Sequence, residues 1–283
     1  MDKFNRTYKF FIDTNDGGQL EVGLPLSIDF NITRNTLSSA NNAVFRIYNL
    51  SETNRSRIAK DRWEYNLLKR VVFFGGYEKD FPTCFSGNVQ RCYSERQGVD
   101  VVTTIEAFDA GFAYANAQLE NAQYPKGTAR RSIVLDMMGK LKQFGVEVGT
   151  IGNIEGTITR GNSFSGPIIK ALTEITDGKF FIDNGKANVL DEKETLVGNL
   201  RVIDSNNGLL GTPIRENGNI SMNMIFEPRI VVGQRVAIQS IVNKDINQNY
   251  KVTEVSHQGM ISESVAGTAT TKIGCIVNSE VLG

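Results

Sequence analysis

The chain has 283 residues, with 31 basic and 31 acidic side chains and a single histidine, so its formal net charge is zero. That balance excludes the sequence-wide basic footprint of a nucleic-acid-binding protein, though a local patch stays possible. The length allows two domains, or three small ones, and no apolar run is long enough to cross a membrane as a helix.

The opening residues, MDKFNRTYKFFID, are polar and of mixed charge. They lack the apolar centre of a signal peptide, which predicts synthesis in the cytosol. Tyr8, Phe10 and Ile12 alternate with Lys9, Phe11 and Asp13, giving a first strand. Asn15-Asp16-Gly17-Gly18 is a turn signal. Leu24, Leu26, Ile28, Phe30 and Ile32 keep period two, predicting a strand over 24–32 whose other face carries Ser27, Asp29, Asn31 and Thr33. That face is therefore wet or meets a polar partner. Residues 34–42 read as a polar loop and 43–50 as the next strand, followed by a short helix capped by Ser51. Strands are predicted over 70–77, 84–94 and 99–108, the last two joined at Gln97-Gly98.

The middle changes character. Ile133, Val134, Met137, Met138 and Leu141 recur at helical spacing, with Thr128 as candidate N-cap and Gly145 as the stop. A second helix is predicted over about 166–176, with Pro167 in its first turn, Ile168, Ile169, Leu172 and Ile175 on one face, and Gly178 after it. KFFIDNGKANVL then reads as a hairpin about Asn184-Gly185, a type I′ signal. From Phe226 onward the pattern is β again. Val236, Ile238 and Ser240 share a face, Asn243 to Asn249 is a polar loop, and Tyr250 to Val255 is a strand with a bulge at Glu254. Gln258-Gly259 reads as a turn, and Thr271, Ile273 and Cys275 line one face of the last strand. The fold class expected is mainly β with a small α/β insert. The expected units are 1–118, 119–205 and 206–283, the outer two being antiparallel β-domains.

The segments VGQRVAI, NYKVTEVSHQG and TTKIGC, in this order near the C-terminus, resemble the baseplate hub proteins of contractile-tailed bacteriophages, which include the late-control D family and the hub of the large T-even phages. FRIYNLS running into a short helix, and VTTIEAFDAG after it, extend the resemblance to the N-terminal third, and the small α/β unit sits where the family has one. The resemblance implies two tail-tube-like β-barrel domains flanking an α/β domain. It implies a homotrimer that adapts the sixfold tail tube to a threefold spike. The implied partners are a tail tube protein, a spike protein and other baseplate proteins, and DNA passes the central channel without specific binding. The implied location is the tail baseplate of a virion made in the host cytoplasm, with no stable membrane insertion. Ser27, Asp29, Asn31 and Thr33 are the candidate channel or interface residues.

Catalytic constellations are sparse. One histidine, His257, excludes a histidine-rich metal site and an HExxH motif; on a strand it reads as solvent-facing. No Walker A loop, G-x-G-x-x-G or G-x-S-x-G is present, and Gly149, Gly152 and Gly156 read as loop glycines, so no cofactor is expected. Asp191, Glu192 and Glu194 read as a solvated turn, although two carboxylates could serve a tail-associated cell-wall hydrolase. Trp63 and Tyr65 beside Arg62 read as a buried anchor or interface residues, or as a stacking platform. Met222 and Met224 share a strand face with Ile220, as core or subunit contact. Cys84, Cys92 and Cys275 have no metal spacing and read as buried free thiols. The sequons at Asn5, Asn31, Asn49 and Asn219 carry no meaning without an export signal. A rival to the phage hub is the base of a type VI secretion or bacteriocin spike, whose fold the family resembles.

Overall fold

The computed structural model describes residues 5–64, 67–78, 80–198, 200–216, 218–264 and 267–277. The N-terminal part holds β1 (Arg6–Asp13), β2 (Gln19–Gly23), β3 (Ile28–Asn35), β4 (Asn42–Tyr48), α1 (Glu52–Ile58), β5 (Arg70–Tyr77), β6 (Thr83–Gln97) and β7 (Asp100–Phe108). The middle holds α2 (Gly111–Asn116), β8 (Gln118–Tyr124), α3 (Arg130–Leu141), β9 (Glu147–Ile151), β10 (Asn162–Pro167), α4 (Ile168–Ile175), β11 (Phe180–Asp183) and β12 (Lys186–Val189). The C-terminal part holds β13 (Arg201–Ile203), β14 (Leu209–Glu216), β15 (Asn219–Ile225), β16 (Arg235–Ile238), β17 (Asn249–Ile261) and β18 (Ala269–Val277).

Both β-rich ends join in one sheet of 13 strands, ordered β14-β15-β18-β17-β3-β4-β7-β6-β5-β1-β2, with β16 and β13 branching from β17. The weld is β17, whose first residues pair with β16 and whose second half, Glu254 to Ile261, pairs with β3. All pairings in this sheet are antiparallel except β13 with β16. The mainly β, antiparallel class is as expected. No closed barrel is found among the described residues: the main path ends in open edges at β2 and β14.

Several expectations change in detail. The strand expected over 24–32 begins only at Ile28 and runs to Asn35. Pro25 has no N–H for a ladder, and residues 24–27 instead turn the chain, the Leu26 N–H donating to Gly23 O at 3.2 Å. Gln258-Gly259 does not turn; both lie within β17, Gly259 facing Phe30 on one side and Ala269 on the other. A Cβ at Gly259 would sit 2.4 Å from Ala269 Cα and from Thr268 O. Gly259→Ala is therefore expected to break the β17–β18 pairing, at a cost of roughly 2–4 kcal/mol; an unchanged urea midpoint would refute this packing. Thr128 does not cap α3. Ala129 holds the cap position, and the Thr128 hydroxyl donates to Pro125 O at 2.7 Å within the preceding turn. Pro167 is the cap residue of α4 rather than part of its first turn. Gly149 is not in a loop but inside β9, where Asn188 Oδ1 leaves no room for a Cβ.

Other local signals hold. Ser51 Oγ accepts the Asn54 N–H, Gly145 ends the α3 segment in the left-handed region, and Asn184 (φ 49°) with Gly185 (φ 73°) forms the type I′ tip between β11 and β12. The bulge falls between Val252 and Glu254.

Three cores form. The first gathers Phe10, Phe30, Phe45, Phe73 and Phe85 between the inward faces of the N-terminal strands, with ring pairs such as the edge-on Phe10–Phe45 pair at 5.0 Å. Each such pair contributes about 0.5–1.5 kcal/mol beyond burial. The second packs α3 and α4 on β11 and β12, using the predicted helix stripe. The third holds Ile220, Met222, Met224, Val236, Tyr250, Val252 and Cys275. The cores exchange residues: Phe226 belongs to the first core and Phe181 to the third. The three cysteines are free and buried, and burial pushes the Cys84 and Cys92 thiols up to about 12.

Candidate functional site

The structure brings Asp29, Asn31 and Thr33 onto one outward face of β3. Ser27 lies in the turn before the strand, its hydroxyl bonded to Ser262 Oγ at 2.7 Å. Asp29 accepts from Arg46 at 3.0 Å. Asn31 is exposed between Val44 and Gln258, and Thr33 lies between Asn42 and Ser256. Because the sheet is continuous, this face extends sideways. It runs through Thr104 and Glu106 of β7 to Arg91 and Tyr93 of β6, and through Glu254 and Ser256 of β17 to Lys272 of β18. The charges alternate in sign, Arg91 and Arg46 beside Glu106 and Asp29, Lys272 near Glu254. The result is a broad, polar, charge-balanced sheet surface.

The opposite face of β3 carries a feature that sequence reading missed. Arg34 was expected in a polar loop, but it follows Ile28, Phe30 and Ile32 on the inward side and is fully buried. Its guanidinium donates to Ile230 O at 2.8 Å and Cys84 O at 3.3 Å, and its Nε lies 3.6 Å from Asp183 Oδ1. One side chain thus ties the N-terminal strands, the α/β unit and the C-terminal segment together. Burial raises the Asp183 carboxyl above its usual range, Arg34 opposing. Asp109, also buried, accepts the Gly185 N–H at 2.8 Å. The sequence signal for Arg34 was its place as the fourth member of the inward alternation.

His257 was expected to face solvent. It is fully buried, its Nδ1 2.9 Å from Thr271 Oγ1 and its ring edge-on to Phe226 at 5.6 Å. Burial, reinforced by Arg34, holds its pKa well below the usual histidine value, so the ring is neutral. The reason is register: His257 pairs with Ile32 and Thr271, both inward.

Trp63 was expected as a buried anchor or an interface residue; it is 85% exposed, so the buried alternative fails. Tyr65 lies outside the described residues. The loop is clamped from below. Lys60 Nζ donates to Glu64 O, Lys69 Nζ donates to Ala59 O, and Asp61 caps the Trp63 N–H. Two buried ammonium groups hold the backbone and leave the indole outside.

The acidic cluster is structural. Asp191 pairs with Lys179 at 2.6 Å, and Glu194 accepts the N–H groups of Asp191 and Asn153. Lys179 lowers the Asp191 carboxyl rather than raising it, which is opposite to what a general acid needs. Among the described residues no group of three or more His, Cys, Asp or Glu side chains could hold a metal, and no helix is long and apolar enough to cross a membrane.

With this geometry in hand, the fold class is that of phage tail proteins. The 43 kDa tail protein of prophage MuSo2 from Shewanella oneidensis superposes with a TM-score of 0.62 at 9% identity, over 95% of this chain and 97% of that one. The tail protein from Neisseria meningitidis MC58 gives 0.64 at 10% identity, over 97% of both chains. The E. coli c3393 protein, a type VI secretion component described as similar to bacteriophage T4 tail proteins gp27 and gp5, gives 0.59 at 8% identity over 90% of this chain and 75% of its own. The chain also matches a chain of the Francisella PdpA–VgrG complex at TM-score 0.57 and 7% identity, covering 98% of this chain and 59% of that one. No curated protein matches at a significant level. The family model for baseplate hub gp41 matches residues 10–263. The chain belongs to the baseplate hub gp41 family.

Proposed function

We propose that this protein is a structural component of a phage tail baseplate: a trimeric hub that adapts a sixfold tail tube to a threefold spike around a central channel. Family membership over residues 10–263 carries the reading. The physical argument is symmetry. Two tube-like β-units per chain, at about 1–118 and 206–283 around the α/β unit 119–205, would give three chains a sixfold face. Each open sheet edge, β2 and β14, could then take a strand from a neighbouring copy and complete a barrel wall. β14 presents Leu210 and Ile214, 42% and 64% exposed, as apolar material for that contact. The face with Asp29, Asn31 and Thr33 is our assignment for the channel lining or a partner strand, with Ser27 at its margin; its balanced charges suit DNA that passes without sticking. Tail tube, spike and further baseplate proteins are the partners, and the virion tail is the location.

The molar mass in solution, alone and with the tube and spike proteins, tests this. A trimer, or trimerisation on mixing, is expected. A chain that stays monomeric and ignores both partners would sink the reading. The structural likeness to a type VI secretion component and to a chain of the PdpA–VgrG complex favours, as a second reading, the base of a type VI or bacteriocin spike. Genes for a tube, a sheath and a spike beside this one, with or without capsid genes, separate the two.

A further inference from the structure

The β11–β12 hairpin enters the β-rich body tip first, and its seat is polar. Ser38 Oγ donates to Phe180 O at 2.8 Å and Asn41 Nδ2 to Ile182 O at 2.9 Å. At the tip, the Ser86 N–H donates to Asn184 Oδ1 at 3.0 Å, and the Gly185 N–H to Asp109 Oδ1 at 2.8 Å. Of the apolar β11 side chains, Phe180 and Ile182 stay in the core of the α/β unit and Phe181 reaches the C-terminal core. Docking therefore combines the burial of Phe181 and Leu190 in the C-terminal core with hydrogen bonds and buried charge at the tip. The seat holds Arg34 as its cation and Asp109 and Asp183 as its carboxylates, and Arg34 Nε and Asp109 Oδ2 are both buried with no hydrogen-bond partner.

The geometry points to a proton-linked joint: the hairpin, and with it the α/β unit, is seated tightly while Asp109 is protonated, and loosens when Asp109 and Asp183 are both ionised beside Arg34. With Asp109 neutral the seat's formal charges cancel; with both acids ionised a buried negative charge is left over.

Among the described residues, the charged and titratable groups around the seat come from several elements, with the exposed Lys186 of β12 lying across the hairpin from Asp183. Asp109 is faced by Asp183 from β11, Arg34 from β3 and Tyr114 from α2; Arg34 is also faced by His257 from β17 and Cys84 from β6. Burial keeps His257, Tyr114 and Cys84 neutral between mildly acidic and mildly alkaline pH. Burial first, then the Asp183 charge, pushes Asp109 up to about 7, against the Gly185 and Asn184 N–H groups and Arg34. Undocked and hydrated, Asp109 would titrate in the ordinary aspartate range. The seated form thus binds the extra proton in the window between, and docking weakens as pH rises through it.

Native-state hydrogen exchange, corrected for intrinsic rates, tests the joint at pH ~5 and ~8. Amides of residues 180–189 are expected to be less protected than those of β1 and β5 at both values. Their protection is expected to fall by at least about tenfold at the higher pH. Asp109→Asn keeps an acceptor for the Gly185 N–H and removes the titration, so its hairpin protection should be the same at both values. Hairpin protection equal to that of β1 and β5, no fall with pH, or a fall that persists in Asp109→Asn would each overturn the proposal. If that variant does not fold, the carboxyl 13C titration of Asp109 in the wild type decides. A midpoint near neutrality supports the joint, and one in the ordinary aspartate range refutes it.

Discussion

Replacing Arg34 with methionine is expected to lower the unfolding free energy by roughly 3–5 kcal/mol, because it leaves a buried carboxylate without its counter-charge. The methionine roughly fills the stem, so lost volume is a minor part. What disappears is the donor set: Ile230 O and Cys84 O lose their guanidinium hydrogen bonds, and Asp183 loses its only cation within ion-pair distance among the described residues. The two carbonyl acceptors and the ion-paired carboxylate belong to three different parts of the chain, so the damage is expected to spread to all of them. Urea unfolding measures the loss. Removing both partners, Arg34→Met with Asp183→Leu, should restore at least half of it, since a buried pair costs desolvation that an apolar pair does not. A single variant within about 1 kcal/mol of the wild type would show that the guanidinium is not the pin described here.

Phe226→Ala is expected to cost about 3–5 kcal/mol. Phe226 follows β15, yet its ring is buried in the N-terminal core, 5.3 Å from Phe30 and 5.6 Å from His257. Its carbonyl accepts the Tyr77 hydroxyl at 2.8 Å, so truncation also loosens that contact. Phe226→Leu keeps most of the volume and should cost less than half as much. The ring joins two β-rich regions, so calorimetry should show one unfolding transition in the wild type and a broadened or split one in Phe226→Ala. A sharp, unshifted transition would mean that the β3–β17 ladder alone couples the two ends.

Much of the local structure was legible because its signals repeat over a few residues. Tyr8, Phe10 and Ile12 announce β1 by alternation, and Ile133 to Leu141 announce α3 by helical spacing. Asn184-Gly185 announces its turn because both residues tolerate positive φ. The motifs spread along the chain also pointed to the hub family, which the match over residues 10–263 shows. Trp63 was not legible in this way: whether an indole ends up inside or outside depends on where Lys60 and Lys69 find their carbonyls.

By itself, then, the sequence determined the longer elements with repeating patterns, the mainly β class and the family, whereas β2, α2, β8, β9, β10, β13 and β14 carried no signal that was read. Only the tertiary structure decided that Arg34 and His257 are buried, that Gly259 lies in mid-strand, and that β3 and β17 weld both ends into one sheet. Those outcomes depend on Ile230, Asp183, Thr271 and Ala269, which lie distant in sequence from Arg34 or pair across a hairpin whose register no local pattern fixes. A charged or polar side chain on an inward strand position becomes core only when such partners arrive to satisfy it.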